Sequence, residues 1–141
     1  MNNPALIQDY VSRAQNRLAA LDLFFERRGY ADVVRLSQES VELALKALVR
    51  SAGIEPPRTH DVGKILMDQP GRFPKGILAD LPRLADISHD MRRDRELAFY
   101  GSEDLTPLEF YGRQHAETAR TDATWVVERV EYALGLGGPG P

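Results

Sequence analysis

Apolar residues recur along most of this chain at intervals of three and four, the spacing that gathers them on one face of an α-helix. Leu6, Ile7, Tyr10, Ala14, Leu18, Leu21, Phe24 and Phe25 form the first such series. Asn2 or Asn3 can cap it, and Pro4 falls in the first turn, where proline is tolerated. At about 1.5 Å per residue this helix would be about 35 Å long. Arg27 and Arg28 meet its negative end, and Gly29 is expected to close it in a left-handed conformation. A second helix starts near Tyr30 to Asp32 and runs to about Ser51, where Gly53, Pro56 and Pro57 stop it. Its centre is SQESVELALKAL, Ser37 to Leu48, a pattern of the middle of a buried helix. Glu42 and Lys46 sit four apart in the favourable acid-then-base order. Gln38 and Glu39 lie beside positions that must be inside. So short a connection makes the first two helices an antiparallel hairpin.

Val62, Ile65, Leu66 and Met67 predict a short third helix, with Thr59 or Asp61 as its cap. Gln69-Pro70-Gly71 closes it. A fourth helix carries Ile77, Leu78, Leu81, Leu84, Ile87 and Met91, with Pro82 near its start or kinking it. It leads into Arg92-Arg93-Asp94-Arg95-Glu96, the densest charge cluster in the chain, and then Leu97 to Tyr100 and Gly101. Thr106 and Pro107 suit the cap and first turn of a fifth helix that continues through Tyr111, Ala116, Ala119, Ala123, Val126, Val127 and Val130 to about Leu134. Its alanines point to close approach of a neighbouring helix. No alternating strand pattern occurs. The expected fold is all-α, an up-and-down bundle of four long helices plus a short one. Residues 1–134 are expected to form one domain, and the Gly/Pro-rich residues 135–141 a frayed, disordered tail.

The chain has 141 residues, enough for a core without covalent staples. It has no cysteine, so a disulfide framework, a thiolate metal site and a cysteine nucleophile are excluded. His60, His89 and His115 are well separated and show no ligand spacing, so no metal and no cofactor are expected. The formal charge of −3 argues against a surface built for unspecific nucleic-acid binding, but it leaves room for a local basic patch. No apolar run approaches the roughly 20 residues that span a bilayer, and the N-terminus lacks a signal-peptide core. A soluble, cytoplasmic protein without membrane association is expected.

Three passages together resemble the HEPN family, the small all-α "higher eukaryotes and prokaryotes nucleotide-binding" domains. The first is the long opening helix, the Gly29-Tyr30 junction and the SQESVELALKAL helix. The second is Gly-x-x-Pro-Pro-x-Thr-His-Asp, Gly53 to Asp61, and the third is the arginine-rich stretch leading to an aromatic, Arg92 to Tyr100. The resemblance spans about residues 9 to 132. It implies a HEPN-like bundle that forms a homodimer, in which two arginine-bearing helix ends face each other. It also implies a partner, a minimal nucleotidyltransferase encoded next door in a toxin–antitoxin pair, which in some pairs attaches nucleotides to the motif tyrosine.

Family members with an arginine, a histidine four to six residues later and often a tyrosine two beyond are metal-independent RNases. The chemistry requires a group to take the 2′-hydroxyl proton and a fixed cation for the extra charge on phosphorus. Histidine titrates in the right range, and arginine grips phosphate oxygens bidentately. Laid on this chain, Arg93 takes the arginine position and Tyr100 that of the trailing tyrosine, while Ala98 stands where the histidine belongs. A second register pairs Arg95 with Tyr100 at the histidine position. Neither register supplies an imidazole, and tyrosine is a poor base at neutral pH.

The candidate catalytic residues are thus Arg93, Arg95 and Tyr100, the candidate nucleotide- or RNA-binding residues are Arg92, Arg93, Arg95 and His89, and Tyr100 is the candidate modification site. His89 lies three and four residues before Arg92 and Arg93, within reach of one helix face. The expected function is binding of nucleotide or RNA with a degenerate RNase motif. An active RNase using Arg93 or Arg95 with Tyr100 or His89 is the first rival. The second is a structural interaction module, in which the arginines solvate a helix C-terminus beside Asp90, Asp94 and Glu96. His60 or Asp61 is read as satisfying free amides at a helix start, and His115 as a surface residue. Glu39 and Glu42, three apart, are read as partners of arginines on neighbouring helices rather than as an acid–base pair.

Overall fold

The computed structural model describes residues 3–56, 58, 61–100 and 111–136, with 94–100 described by their backbone alone. Among these residues five α-helices follow one another: α1 (Pro4–Glu26), α2 (Tyr30–Ser51), α3 (Val62–Asp68), α4 (Leu81–Tyr100) and α5 (Arg113–Leu134). Two 3₁₀ turns, Pro70–Arg72 and Lys75–Asp80, link α3 to α4. Every regular element among the described residues is helical, as the apolar spacing predicts.

The four long helices run up and down. Arg17 of α1 reaches Glu39 of α2, and Tyr10 lies near Arg50, which makes α1 and α2 antiparallel. Arg120 of α5 meets Asp22 of α1, and Arg83 of α4 meets Asp122 of α5. Helices α2 and α5 form the centre, with α1 and α4 on their flanks and α3 packed on α4. Ala44, Leu45 and Leu48 of α2 meet Ala119, Ala123, Val126, Val127 and Val130 of α5 in one core, with Leu66, Ile77, Leu81, Leu84 and Ile87 closing its side. The alanines of α5 let the two central backbones approach, because a methyl side chain keeps little volume between them.

Helix ends follow local chemistry, with one exchange of roles. Asn3 caps α1 by accepting the Leu6 N–H at 3.1 Å, and Asp61 caps α3 by accepting the Gly63 N–H at 2.9 Å. Thr59 and His60 lie outside the described residues. Gly53, expected to stop α2, follows it in a left-handed conformation, with φ +78°. After α1, however, Arg28 and not Gly29 is left-handed, with φ +61°. The turn is a Schellman motif: the Gly29 N–H bonds to the Phe24 carbonyl at 2.9 Å and the Arg28 N–H to that of Phe25 at 3.0 Å. A Cβ on Gly29 would lie 3.2 Å from an Asp32 carboxylate oxygen, the movable end of a side chain, and 3.4 Å from the Phe24 carbonyl oxygen.

Inside α2, polar side chains are buried among apolar ones. The Ser40 hydroxyl donates to the Ala14 carbonyl at 2.7 Å and ties α2 to α1. Ser37 is equally buried, but its hydroxyl has no hydrogen-bond partner among the described residues. A hydroxyl buried without a partner costs free energy that a methyl does not. Ser40→Ala should therefore lower stability by about 0.5–1.5 kcal/mol, whereas Ser37→Ala should leave it unchanged or raise it. Urea denaturation of the two variants checks the contrast. Equal losses from both would contradict it.

Three boundaries differ from the sequence reading. Ile77 and Leu78 belong to the 3₁₀ turn before α4, and Pro82 is the second residue of the helix, where its missing N–H is harmless. Arg129 pins that turn, bonding Asp80 at 2.7 Å and the Gly76 carbonyl at 3.3 Å. Second, α4 does not end at the charge cluster but continues to Tyr100. Arginine, glutamate, leucine and alanine are good helix formers, and no glycine or proline interrupts them before Gly101. Third, Tyr111 precedes α5, which begins at Arg113 after an extended Gly112. Its start is set by His115, whose Nδ1 accepts the Gly112 N–H at 3.2 Å. The expected cap at Thr106 and Pro107 lies outside the described residues, as do residues 137–141 of the expected tail; Leu136 is exposed. Met67, placed with the apolar face of α3, is exposed as well. Among the described residues no helix is long and apolar enough to cross a membrane.

Candidate functional site

Helix α4 carries every candidate residue named from the sequence, His89, Arg92, Arg93, Arg95 and Tyr100, with the side chains of Arg95 and Tyr100 outside the described part. Arg92 and Arg93 lie two turns inside the helix rather than at its end, so the helix dipole, which acts within the last turn, does not account for them. Consecutive residues point about 100° apart, and the two exposed arginines border different surfaces. Arg93 lies on the rim of a groove between α4 and α5 of about 250 Å³. Arg92 borders a notch of about 10 Å³ on the other flank, with Gln38, Glu42 and Ser88. That notch has the room of a single water, beside the Gln38 side-chain oxygen, which is buried without a hydrogen-bond donor among the described residues. By helical register, positions 93 and 100 share one face two turns apart, and position 95 falls on the opposite face.

The α4–α5 groove has an apolar floor of Val34, Ile87, Met91, Tyr111 and Ala119 and a polar rim of Arg83, Asp90, Arg93, His115 and Asp122. Burial pushes the Asp122 carboxyl above its ordinary value of 3.8. The charge and hydrogen bond of Arg83 act in the opposite direction, and nearby Asp90 adds to the rise. The folded state therefore holds the Asp122 proton more tightly than the unfolded chain, so this group's contribution to stability falls as pH rises through the window above 3.8. Removing the opposing charge by Arg83→Ala should raise the Asp122 carboxyl further. A carboxyl-carbon NMR titration measures it, and a lowered value would show that Arg83 does not hold the ionised form.

His89 does not turn toward this groove. Its Nδ1 lies 3.5 Å from Asp61 Oδ2, while the other oxygen of Asp61 caps α3 and accepts the Ser88 hydroxyl at 3.2 Å. His89, Arg92 and Arg93 are thus divided between surfaces of α4: His89 and Arg92 border the α3 side, and Arg93 the α5 side. Glu39 pairs with Arg17 of α1 and Arg35 of its own helix, and Glu42 with Lys46 and the Gln38 amide. Glu39 so has the neighbouring-helix arginine foreseen for it, and the i,i+4 pair of Glu42 and Lys46 is present. No group of three or more metal-ligating side chains occurs among the described residues.

Several residues of this region have no signature in the sequence. Asp122 and Arg83 meet although 39 positions apart, and Tyr111 and His115 reach the groove only because α5 folds back along α4. Local spacing reveals partners three or four residues away and is blind to these.

The rim of this groove carries both signs of charge, Arg83 and Arg93 with Asp90 and Asp122, above an apolar floor. A family model described as the HEPN domain matches residues 7–133, nearly the whole chain, and the protein belongs to that family. The family is one of nucleotide- and RNA-related, RNase-like domains. No curated protein and no solved structure matches the chain.

Proposed function

We propose that this HEPN-domain protein is a homodimer that binds RNA or nucleotide along α4 and acts with a minimal nucleotidyltransferase in a toxin–antitoxin-like pair. The observation that carries the reading is the exposed Arg92–Arg93 pair in the middle of α4, with Arg93 on the rim of the α4–α5 groove. Arginine recognises phosphate oxygens by paired hydrogen bonds, and the apolar floor suits the face of a base. Tyr100, in register with Arg93, is the candidate acceptor for nucleotides attached by the partner. With Ala98 at the usual histidine position, the family motif lacks its own base, so this protein binds without cutting through that motif.

The test is affinity for a single-stranded RNA oligonucleotide at several salt concentrations. Arg92→Ala and Arg93→Ala should each weaken binding, and each should reduce the salt slope by about 1 if the arginine contacts a phosphate. Unchanged affinity and slope in both would favour the structural interaction module. Ala98→His should confer metal-independent cleavage on a chain that otherwise lacks it at this motif. A second reading, cleavage by the natural chain, is favoured by one observation, the approach of His89 to Asp61.

A further inference from the structure

Gln38 is a long polar side chain set in the apolar run of α2, with only 2% of its surface exposed. Its Nε2 donates to Glu42 Oε2 at 3.0 Å. A carboxylate only accepts, so this bond fixes which end of the amide faces Glu42; the opposite orientation would set two acceptors against each other. Oε1 is thereby turned away from Glu42, and it receives no hydrogen bond among the described residues. A buried acceptor without a donor is costly, and a donor supplied from outside the chain would remove that cost.

The notch between α2 and α4 that Gln38 borders is where such a donor can enter. Its other polar walls accept as well. Ser88 commits its one hydroxyl hydrogen to Asp61 Oδ1 at 3.2 Å and offers only oxygen lone pairs. Glu42 is a carboxylate, held by Lys46 at 3.1 Å. These acceptors border a space of about 10 Å³, the room of one water or one amino group. Arg92 is the cation on its border. The Gln38 oxygen has essentially no open surface of its own, so a group that reaches it must displace a neighbour. Met91 can yield: its side chain is unbranched and adaptable, and it borders both this notch and the α4–α5 groove.

We infer that the notch reads the exocyclic amino group of a nucleobase, which donates to Gln38 Oε1, and so selects adenine, cytosine or guanine over uracil. The inference rests on the RNA- or nucleotide-binding reading above and gives it a specificity. An amino group brings two hydrogens to a lining of acceptors, whereas the carbonyl that uracil carries in its place would set oxygen against oxygen. A charged amine fits less well, because an ammonium group would stand beside Arg92. The amino group of a base is neutral, and the phosphate of the same nucleotide complements Arg92. Gln38 is a specificity-determining residue in this scheme and takes no part in bond making or breaking.

The experiment compares short RNA oligomers of adenosine with oligomers of purine riboside, which has the same ring and no amino group. The two 5′-monophosphates are compared in the same way. The full chain should bind each adenosine ligand about tenfold more tightly than its purine counterpart, the effect of one buried hydrogen bond. Gln38→Leu removes the acceptor and keeps similar bulk; it should abolish the preference and leave purine affinity within about twofold. Methyl NMR gives a second measurement that needs no variant, because Met91 is one of only three methionines. Its methyl signal should move on binding the adenosine ligand and stay in place with the purine one. Equal affinities at the wild-type chain, or a preference that survives Gln38→Leu, would overturn the assignment and leave a single water as the occupant, with RNA binding intact. A preference shown by the monophosphates alone would support the notch as a site for free nucleotide. A chain that binds none of the four ligands would overturn the RNA-binding reading and the role of the notch together.

Discussion

Leu45→Ala is expected to lower the free energy of unfolding by about 2–5 kcal/mol, the largest single effect on stability foreseen in this chain. Leu45 has no exposed surface and sits at the middle of α2, which packs against α1, α3, α4 and α5. Truncation removes the transfer energy of the lost carbons and leaves a hole, and four surrounding helices cannot all move in to fill it. Leu43 provides the internal control. It lies on the same helix but borders the shallow polar surface of Arg13, Arg17 and Lys46, where the environment can relax. Leu43→Ala should cost clearly less. Urea denaturation distinguishes the two, with a falling midpoint and an unchanged slope if both variants remain two-state. A loss below about 1 kcal/mol for Leu45→Ala would be too small for a closed core and would show that the site can collapse.

The second large effect is expected from one methyl group. Gly63→Ala places a Cβ 3.0 Å from the backbone of Ala85, and backbone atoms cannot rotate aside as a side chain can. Helix α3 must lift from α4, at a cost of about 1–3 kcal/mol typical of overpacking. Asp61 moves with it, since the residue is both the cap of α3 and the partner of Ser88 and His89. Amide exchange should quicken in α3 ahead of the rest of the molecule, and the His89 ring signals should change. Unaltered stability together with unaltered His89 signals would mean that α3 accommodates the methyl without moving.

Much of this architecture can be read from spacing alone. The 3.6-residue repeat in Leu6 to Phe25, in Val33 to Leu48 and in Ala116 to Val130 announces three long helices, because each buries one face. Gly53 and Asp61 are legible as end signals because their roles are local. The fourth helix is harder to read. Its apolar repeat stops at Met91, but the polar residues that follow are themselves strong helix formers, so the helix persists where the buried face gives out. Arg28 is misleading in the opposite way: glycine is the usual left-handed residue, yet here Arg28 takes that conformation and Gly29 does not. At the candidate site the limit is distance along the chain. Asp61 as a cap is visible from its position before Val62. Its second use, toward residues 27 and 28 positions away, follows only from the way α3 lies on α4.

The arrangement of the four long helices also has a consequence for the order in which the protein assembles. Helices α1 and α2 are joined by Arg27, Arg28 and Gly29 alone, so their pairing closes almost no loop and can form early. Helix α5 must return to α2 across the whole stretch from Ser51 to Arg113, and its docking carries most of the loop-closure entropy. Substitutions in the α1–α2 hairpin should therefore slow folding, whereas those on the α5 face should mainly speed unfolding. The groove beside Arg93 belongs to the later step. A ligand that bridges α4 and α5 would act as a late clasp, lengthening the life of the folded state more than it hastens its formation.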